Sequence, residues 1–294
     1  MSLSRSFLAA LLVLPAAACA GDGKPGDVKP GDGKPGDVKP VDAKPDDAKP
    51  GDADRLLKTF VEEFVEITPG KGKFPARFTM GSDDGPASER PARAVTLKTP
   101  FRIAKYEVPQ NLYQAVAGTN PSRWTGPRNS VEMVSHAEAV AFCRKVTEML
   151  RERRLIAATA VVRLPTEAEW EYCCRAGTAT RYSFGDAEKD LGDHAWFTGN
   201  AAGNDPPVGA KKPNPWGLYD LHGYVWEWCA DAWAADHKDA PADGSARTAA
   251  DAKEFVLKGG SWMDKADACR SAARLGKPAD FRGPHVGFRC VIDG

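Results

Sequence analysis

Between Ser135 and Leu150 the apolar residues Val140, Cys143, Val146 and Leu150 recur at the spacing of one helix face, and Ser135 with Glu138 forms a capping box that starts the helix. Cys143 therefore reads as a buried core thiol rather than a reactive one. A second capping box, Thr166 with Glu169, opens a shorter helix that follows Arg163-Leu164-Pro165 and runs through Trp170 to Arg175. A short helical stretch is expected around Leu56 to Val65. Alternating apolar residues predict strands over Phe74 to Ser82 and Ala94 to Ile103, and shorter ones over Phe255 to Leu257 and Val286 to Val291. Beyond Gly177 the chain is dominated by Gly, Pro, Asn and aromatic residues. Two helices with scattered short strands predict an α+β fold.

Composition sharpens that picture. The 294 residues include eight Trp, 28 Gly and 23 Pro, which suits a core assembled from irregular segments. Lysine plus arginine and aspartate plus glutamate balance at 40 each, so no single-sign field points to nucleic acid or an anionic membrane surface as partner. Residues 1–19 read as an export signal: Arg5, an apolar run from Phe7 to Val13 too short to span a bilayer, then Ala16, Ala17 and Ala18 before Cys19. The small residues before Cys19 suit a bacterial lipoprotein signal, so the segment predicts either a lipidated Cys19 with membrane attachment or simple cleavage to a periplasmic or secreted form. Residues 20–54 form a linker built on Gly-Asp-x-Lys-Pro pentads, repeated about six times to near Pro50. Proline every fifth residue, alternating charge and almost nothing to bury predict a disordered, solvated stalk ahead of a domain over 55–294. In an exported protein the six remaining cysteines, Cys143, Cys173, Cys174, Cys229, Cys269 and Cys290, are candidates for disulfides.

Several catalytic signatures are absent from the sequence: a phosphate-cradling loop ending in Lys and Ser or Thr, a Gly-x-Ser-x-Gly elbow, and a His-Glu-x-x-His helix. The five histidines are scattered without ligand spacing. The segment Gly217 to Trp228 differs, because Asp220 and Glu227 offer hard carboxylate oxygens and Gly223 permits a sharp turn whose carbonyls could face inward, as calcium requires.

The ordered motifs Phe78-Thr79-Met80-Gly81-Ser82, Lys105-Tyr106-Glu107-Val108, Asn120-Pro121-Ser122 before Trp124, Arg163 to Tyr172, Pro213 to Asp220, Val225-Trp226-Glu227-Trp228, Lys258-Gly259-Gly260-Ser261-Trp262 and Gly287-Phe288-Arg289-Cys290 resemble the formylglycine-generating enzyme (sulfatase-modifying factor) family over about Val61 to Val291. The resemblance implies a C-type-lectin-like fold, low in regular secondary structure, and calcium held by the Asp220 side chain, the Gly223 and Val225 carbonyls and the Glu227 carboxylate. It implies a Cys174–Cys290 disulfide, which leaves Cys229 and Cys269 as candidates for a second bridge. It also implies a substrate cleft containing Ser261, Trp226 and Arg274, and a protein or peptide client of the sulfatase type. Family chemistry oxidises a client cysteine to formylglycine with oxygen, on copper(I) held by two thiolates that follow Gly-Gly-Ser with four residues between them. Here the first ligand position is Asp264; an ungapped count from Gly259-Gly260-Ser261 places Cys269 at the second, whereas aligning Arg270-Ser271-Ala272-Ala273-Arg274 with the downstream family motif places it elsewhere, so either way one thiolate is absent and copper is not expected. The expectation is an extracytoplasmic binding or interaction member of the family. The alternative is an oxidoreductase of the parent type, or a variant metal-dependent oxidase, that uses Cys269 and Ser261.

Overall fold

The computed structural model describes residues 50–202 and 205–294; the export signal, Cys19 and nearly all of the repeat linker lie outside them. Helix α1 (Pro50–Glu62) begins five residues before the expected domain start and is followed at once by strand β1 (Phe64–Ile67), so the apolar run at 56–65 serves two elements. Strand β2 (Arg77–Met80) pairs with β3 (Arg93–Thr96) as a separate two-stranded sheet. The strand expected over Ala94 to Ile103 is divided: β3 ends at Thr96, and β4 (Phe101–Ala104) starts after Pro100 and joins a different sheet. Proline has no N–H to give a ladder, which accounts for the break.

Helix α2 (Gln110–Ala117) follows Pro109 without a side-chain cap and ends at Gly118 in the left-handed region, φ 89°. It carries no capping box, and the sequence reading missed it. Helix α3 (His136–Glu152) has the expected box: the Ser135 hydroxyl accepts from the Glu138 N–H, and the Glu138 carboxylate accepts from the Ser135 N–H. Its buried residues Ala139, Phe142, Cys143, Val146 and Leu150 face the core, whereas Val140 is exposed. After β5 (Val161–Arg163), helix α4 (Glu167–Arg175) is buried on every side. That is tolerable because its charges are paired: Glu171 with Arg175 and Lys258, and Glu167 with Arg274.

The C-terminal half supplies β6 (Trp226–Ala232), β7 (Glu254–Lys258), β8 (Arg274–Pro278), β9 (Val286–Gly287) and β10 (Val291–Asp293). The sheets run β1-β4-β10-β5 and β8-β7-β6-β9, and only the β6–β9 pair is parallel. The apolar run from Val286 to Val291 is thus shared between two sheets. Between its two strands Phe288 and Cys290 enter one hydrophobic core with α2 and α3, while Val291 enters a second core with α4 and β3. The result is an α+β fold low in regular secondary structure.

Candidate functional site

Two loops at one end of the second four-stranded sheet carry the candidate residues. One leads from Gly217 into β6; the other leaves β7 at Gly259 and Gly260, both in the left-handed region at φ 106° and 74°. A side chain at Gly260 would place its Cβ 2.7 Å from the Ala268 carbonyl and 2.9 Å from the Cys269 sulfur, so only glycine fits this approach. The loops are tied by the Trp262 N–H donating to the Tyr224 carbonyl at 3.0 Å.

Asp264 is the centre of this junction. Its carboxylate accepts from the Ser261 hydroxyl and from Trp226 Nε1 at 2.8 Å. Its carbonyl accepts from the Thr198 N–H and hydroxyl, both at 3.0 Å. Ser261 also accepts from the Met263 N–H. Cys269 is fully buried, and burial first, then the Asp264 carboxylate, pushes its thiol well above the usual range. A hard carboxylate engaged by two donors and a protonated, buried thiol do not make the soft donor pair that copper(I) prefers. Above this floor stands an aromatic rim: Trp124, 39% exposed, meets Trp262 edge to face at 5.4 Å, and Met263 is 50% exposed beside them. The Trp124 loop is held by Glu132 accepting from the Arg123 and Trp124 N–H groups, and by Gln110 Nε2 donating to the Trp124 carbonyl. Motif spacing had not identified Trp262 and Met263 as a rim; their adjacency to Gly-Gly-Ser was the available signal.

Arg274 does not line this cleft. Its guanidinium is buried, pinned by Glu167 at 2.6 and 2.8 Å and by the Ser88 and Ala234 carbonyls, and stacked 4.3 Å from Trp233. It neutralises the buried helix α4. A separate cleft of about 790 Å³ adjoins the Cys269 turn through Asp267 and Arg270, and its arginines are paired, Arg181 with Asp267, Arg270 with Glu89 and Arg175 with Glu171.

The expected disulfides are not formed; all six cysteines in the described residues are free thiols. Cys290 faces α3, with its sulfur 3.8 Å from that of Cys143, whereas α4 carries Cys174 into the second core, 3.7 Å from His222 Nε2. The Cys174–Cys290 pairing is therefore corrected by the direction in which each element points. Cys229 lies in the second core and Cys269 in a small third cluster with Tyr182, so the Cys229–Cys269 pairing fails for the same reason.

Asp220, at φ 59°, is buried; one carboxylate oxygen accepts from the Gly209 N–H at 2.6 Å and the other has no hydrogen-bond partner among the described residues. Burial lifts its carboxyl to about 6. Glu227, however, is spent elsewhere: it accepts from Trp170 Nε1 at 3.0 Å and from Arg289 at 2.6 and 2.7 Å. Its expected role as calcium ligand does not fit that geometry, because a buried guanidinium already occupies both oxygens. Glu107, singled out in the sequence only as part of a motif, is the residue left over. Neither of its oxygens accepts a hydrogen bond, and burial, followed by the Asp220 carboxylate, raises its carboxyl well above the ordinary value. Among the described residues no three or more His, Cys, Asp or Glu side chains form a metal-holding cluster, so calcium here would depend on backbone carbonyls as well.

Comparison with known proteins decides the family. The sulfatase-modifying factor enzyme 1-like domain model matches residues 51–294. The chain belongs to this family. A formylglycine-generating enzyme of Thermomonospora curvata is 34% identical over 226 residues, covering 68% of this chain and 66% of that protein. A Bos taurus protein named inactive C-alpha-formylglycine-generating enzyme 2 is 35% identical over 144 residues, 44% of this chain and 43% of the relative. PvdO from Pseudomonas aeruginosa superposes with a TM-score of 0.67 at 29% identity, covering 79% of this chain and 94% of that one. The chain spans about half to two thirds of the length of the curated formylglycine-generating enzymes it matches.

Proposed function

We propose that this sulfatase-modifying-factor-family domain is a non-oxidising member that binds a protein or peptide ligand outside the cytoplasm at the rim formed by Trp124, Trp262 and Met263. The observation that carries the reading is Asp264. At the position where the resemblance implies a copper thiolate stands a carboxylate that accepts from Ser261 and Trp226, beside a thiol that burial pushes well above its usual range. Its similarity to an inactive relative supports the same reading. The exposed rings offer rigid apolar area at small entropic cost, a composition suited to recognition.

The test incubates the purified chain with copper(I), oxygen and a peptide containing Cys-x-Pro-x-Arg, with mass spectrometry of the cysteine and a chromophoric chelator competing for copper. The expected result is unmodified cysteine and copper retained by the chelator; conversion to the aldehyde would overturn the proposal. The reading includes export, supported by the signal-like residues 1–19, with attachment through lipidated Cys19. Metabolic labelling with a lipid precursor checks this, and label that persists in Cys19→Ser would refute it.

A further inference from the structure

We infer that the cleft between the 81–86 loop, the 175–186 segment and the turn at Asp267 to Arg270 binds a small zwitterion of the amino-acid or short-peptide class. The ligand carboxylate lies between Arg181 and Arg270, and its ammonium group meets Asp84 and Asp186. The cleft shares no lining residue with the Trp124–Trp262 rim, so the inference stands apart from the proposed function.

The lining narrows the ligand class. Its polar side chains are arginine, aspartate, serine and threonine, separated by alanine, glycine and proline, and none of its residues is aromatic or branched aliphatic. A lipid chain or a flat ring has nothing to pack on there. The volume, about 790 Å³, lies in the range of small-molecule sites.

Arg270 is fixed in advance. Glu89, 2% exposed, accepts from both of its terminal nitrogens at 2.6 and 2.8 Å. That carboxylate has room only because position 85 is glycine, since a Cβ there would collide with Glu89 Oε2. The pairing leaves Arg270 Nε without a hydrogen bond among the described residues, 3.9 Å from Asp267 Oδ1. The same Asp267 oxygen accepts from Arg181 Nη2. A carboxylate therefore already stands between two guanidiniums, on a side chain that is 78% exposed. An exposed ion pair of this kind adds little to stability, so an incoming carboxylate can take the place of Asp267 and use the planar donors of both arginines.

The remaining charges decide against a simple anion. Arg175 is matched by Glu171, Arg270 by Glu89 and Arg181 by Asp267, which leaves Asp84 and Asp186 on the lining without an ion-pair partner among the described residues. Asp186 accepts the Arg181 N–H through one oxygen at 2.8 Å and keeps the other for a ligand. A purely anionic ligand would add to this negative excess, and a purely cationic one would leave the arginine clamp unused. A zwitterion answers both.

The purified chain is titrated by calorimetry with alanyl-alanine and with its N-acetylated and C-amidated forms, each of which keeps one charge. Saturable binding of alanyl-alanine at least about tenfold tighter than either blocked form is expected. Absence of saturable binding, or a blocked form that binds equally well, would overturn the inference on wild type alone. Arg181→Ala, at an exposed position, is expected to weaken binding about tenfold, whereas Asp267→Asn should tighten it about threefold by removing the competing carboxylate. Weaker binding by Asp267→Asn would refute the exchange. Trp124→Ala should leave the affinity unchanged; a loss there would move the ligand to the rim and overturn the assignment to this cleft.

Discussion

The half-buried Asp264 and the fully buried Glu107–Asp220 pair are acids on neighbouring loops, and they are solved in opposite ways. One oxygen of the Asp264 carboxylate accepts from both a hydroxyl and an indole N–H, and its carbonyl accepts from Thr198. Around Glu107 the one strong donor in reach, Arg289, is exhausted by Glu227 and backbone carbonyls. The difference separates a junction whose donors lie within the chain from one whose buried carboxylate oxygens have no hydrogen-bond partner among the described residues. The Asp264 junction stands where the family resemblance implies a thiolate.

The comparison can be broken most forcefully at Arg289. Arg289→Met leaves Glu227 and Glu107 buried without a counter-charge, and urea unfolding should show a loss of about 3 to 5 kcal/mol. A loss below about 1 kcal/mol would mean that Arg289 is not the hub described. Next comes His136, stacked 3.7 Å on Phe255 and held by burial near a pKa of about 4 against an ordinary 6.5. The folded state keeps it neutral while the unfolded chain takes up the proton, so its contribution is present above 6.5 and is lost as pH falls through 6.5 to 4. The difference in unfolding free energy between wild type and His136→Gln should change by about 3 kcal/mol across that window.

The sharpest contrast uses matched changes of acid. Asp264→Ala strands the Ser261 hydroxyl and the Trp226 N–H and should cost about 2 kcal/mol. Glu107→Gln should cost less than about 1 kcal/mol, because it replaces a buried carboxyl that accepts no hydrogen bond. Equal losses at the two positions would erase the distinction. The smallest effect is expected at Trp124→Ala, where a half-exposed ring leaves stability within about 0.5 kcal/mol of wild type while tryptophan fluorescence reports the altered rim.

Local signals were legible because they act over three or four residues. The Ser135–Glu138 and Thr166–Glu169 boxes start helices where they were expected, and the motif series led to the family. Helix α2, preceded by Pro109 and lacking such a box, was invisible. The single apolar runs at 94–103 and 286–291 concealed strands of two different sheets, since alternation records burial and not the partner. The family resemblance placed Arg274 in the cleft, yet its guanidinium turns inward to Glu167.

By itself the sequence determined the α+β class and the family, both properties of residue type and order. Tertiary structure alone decided which thiols meet, where Arg274 points, and that Arg289 gives its donors to Glu227 rather than to Glu107. Those outcomes depend on a finite set of donors shared among residues far apart in the chain, and neither spacing nor composition records how such a set is divided.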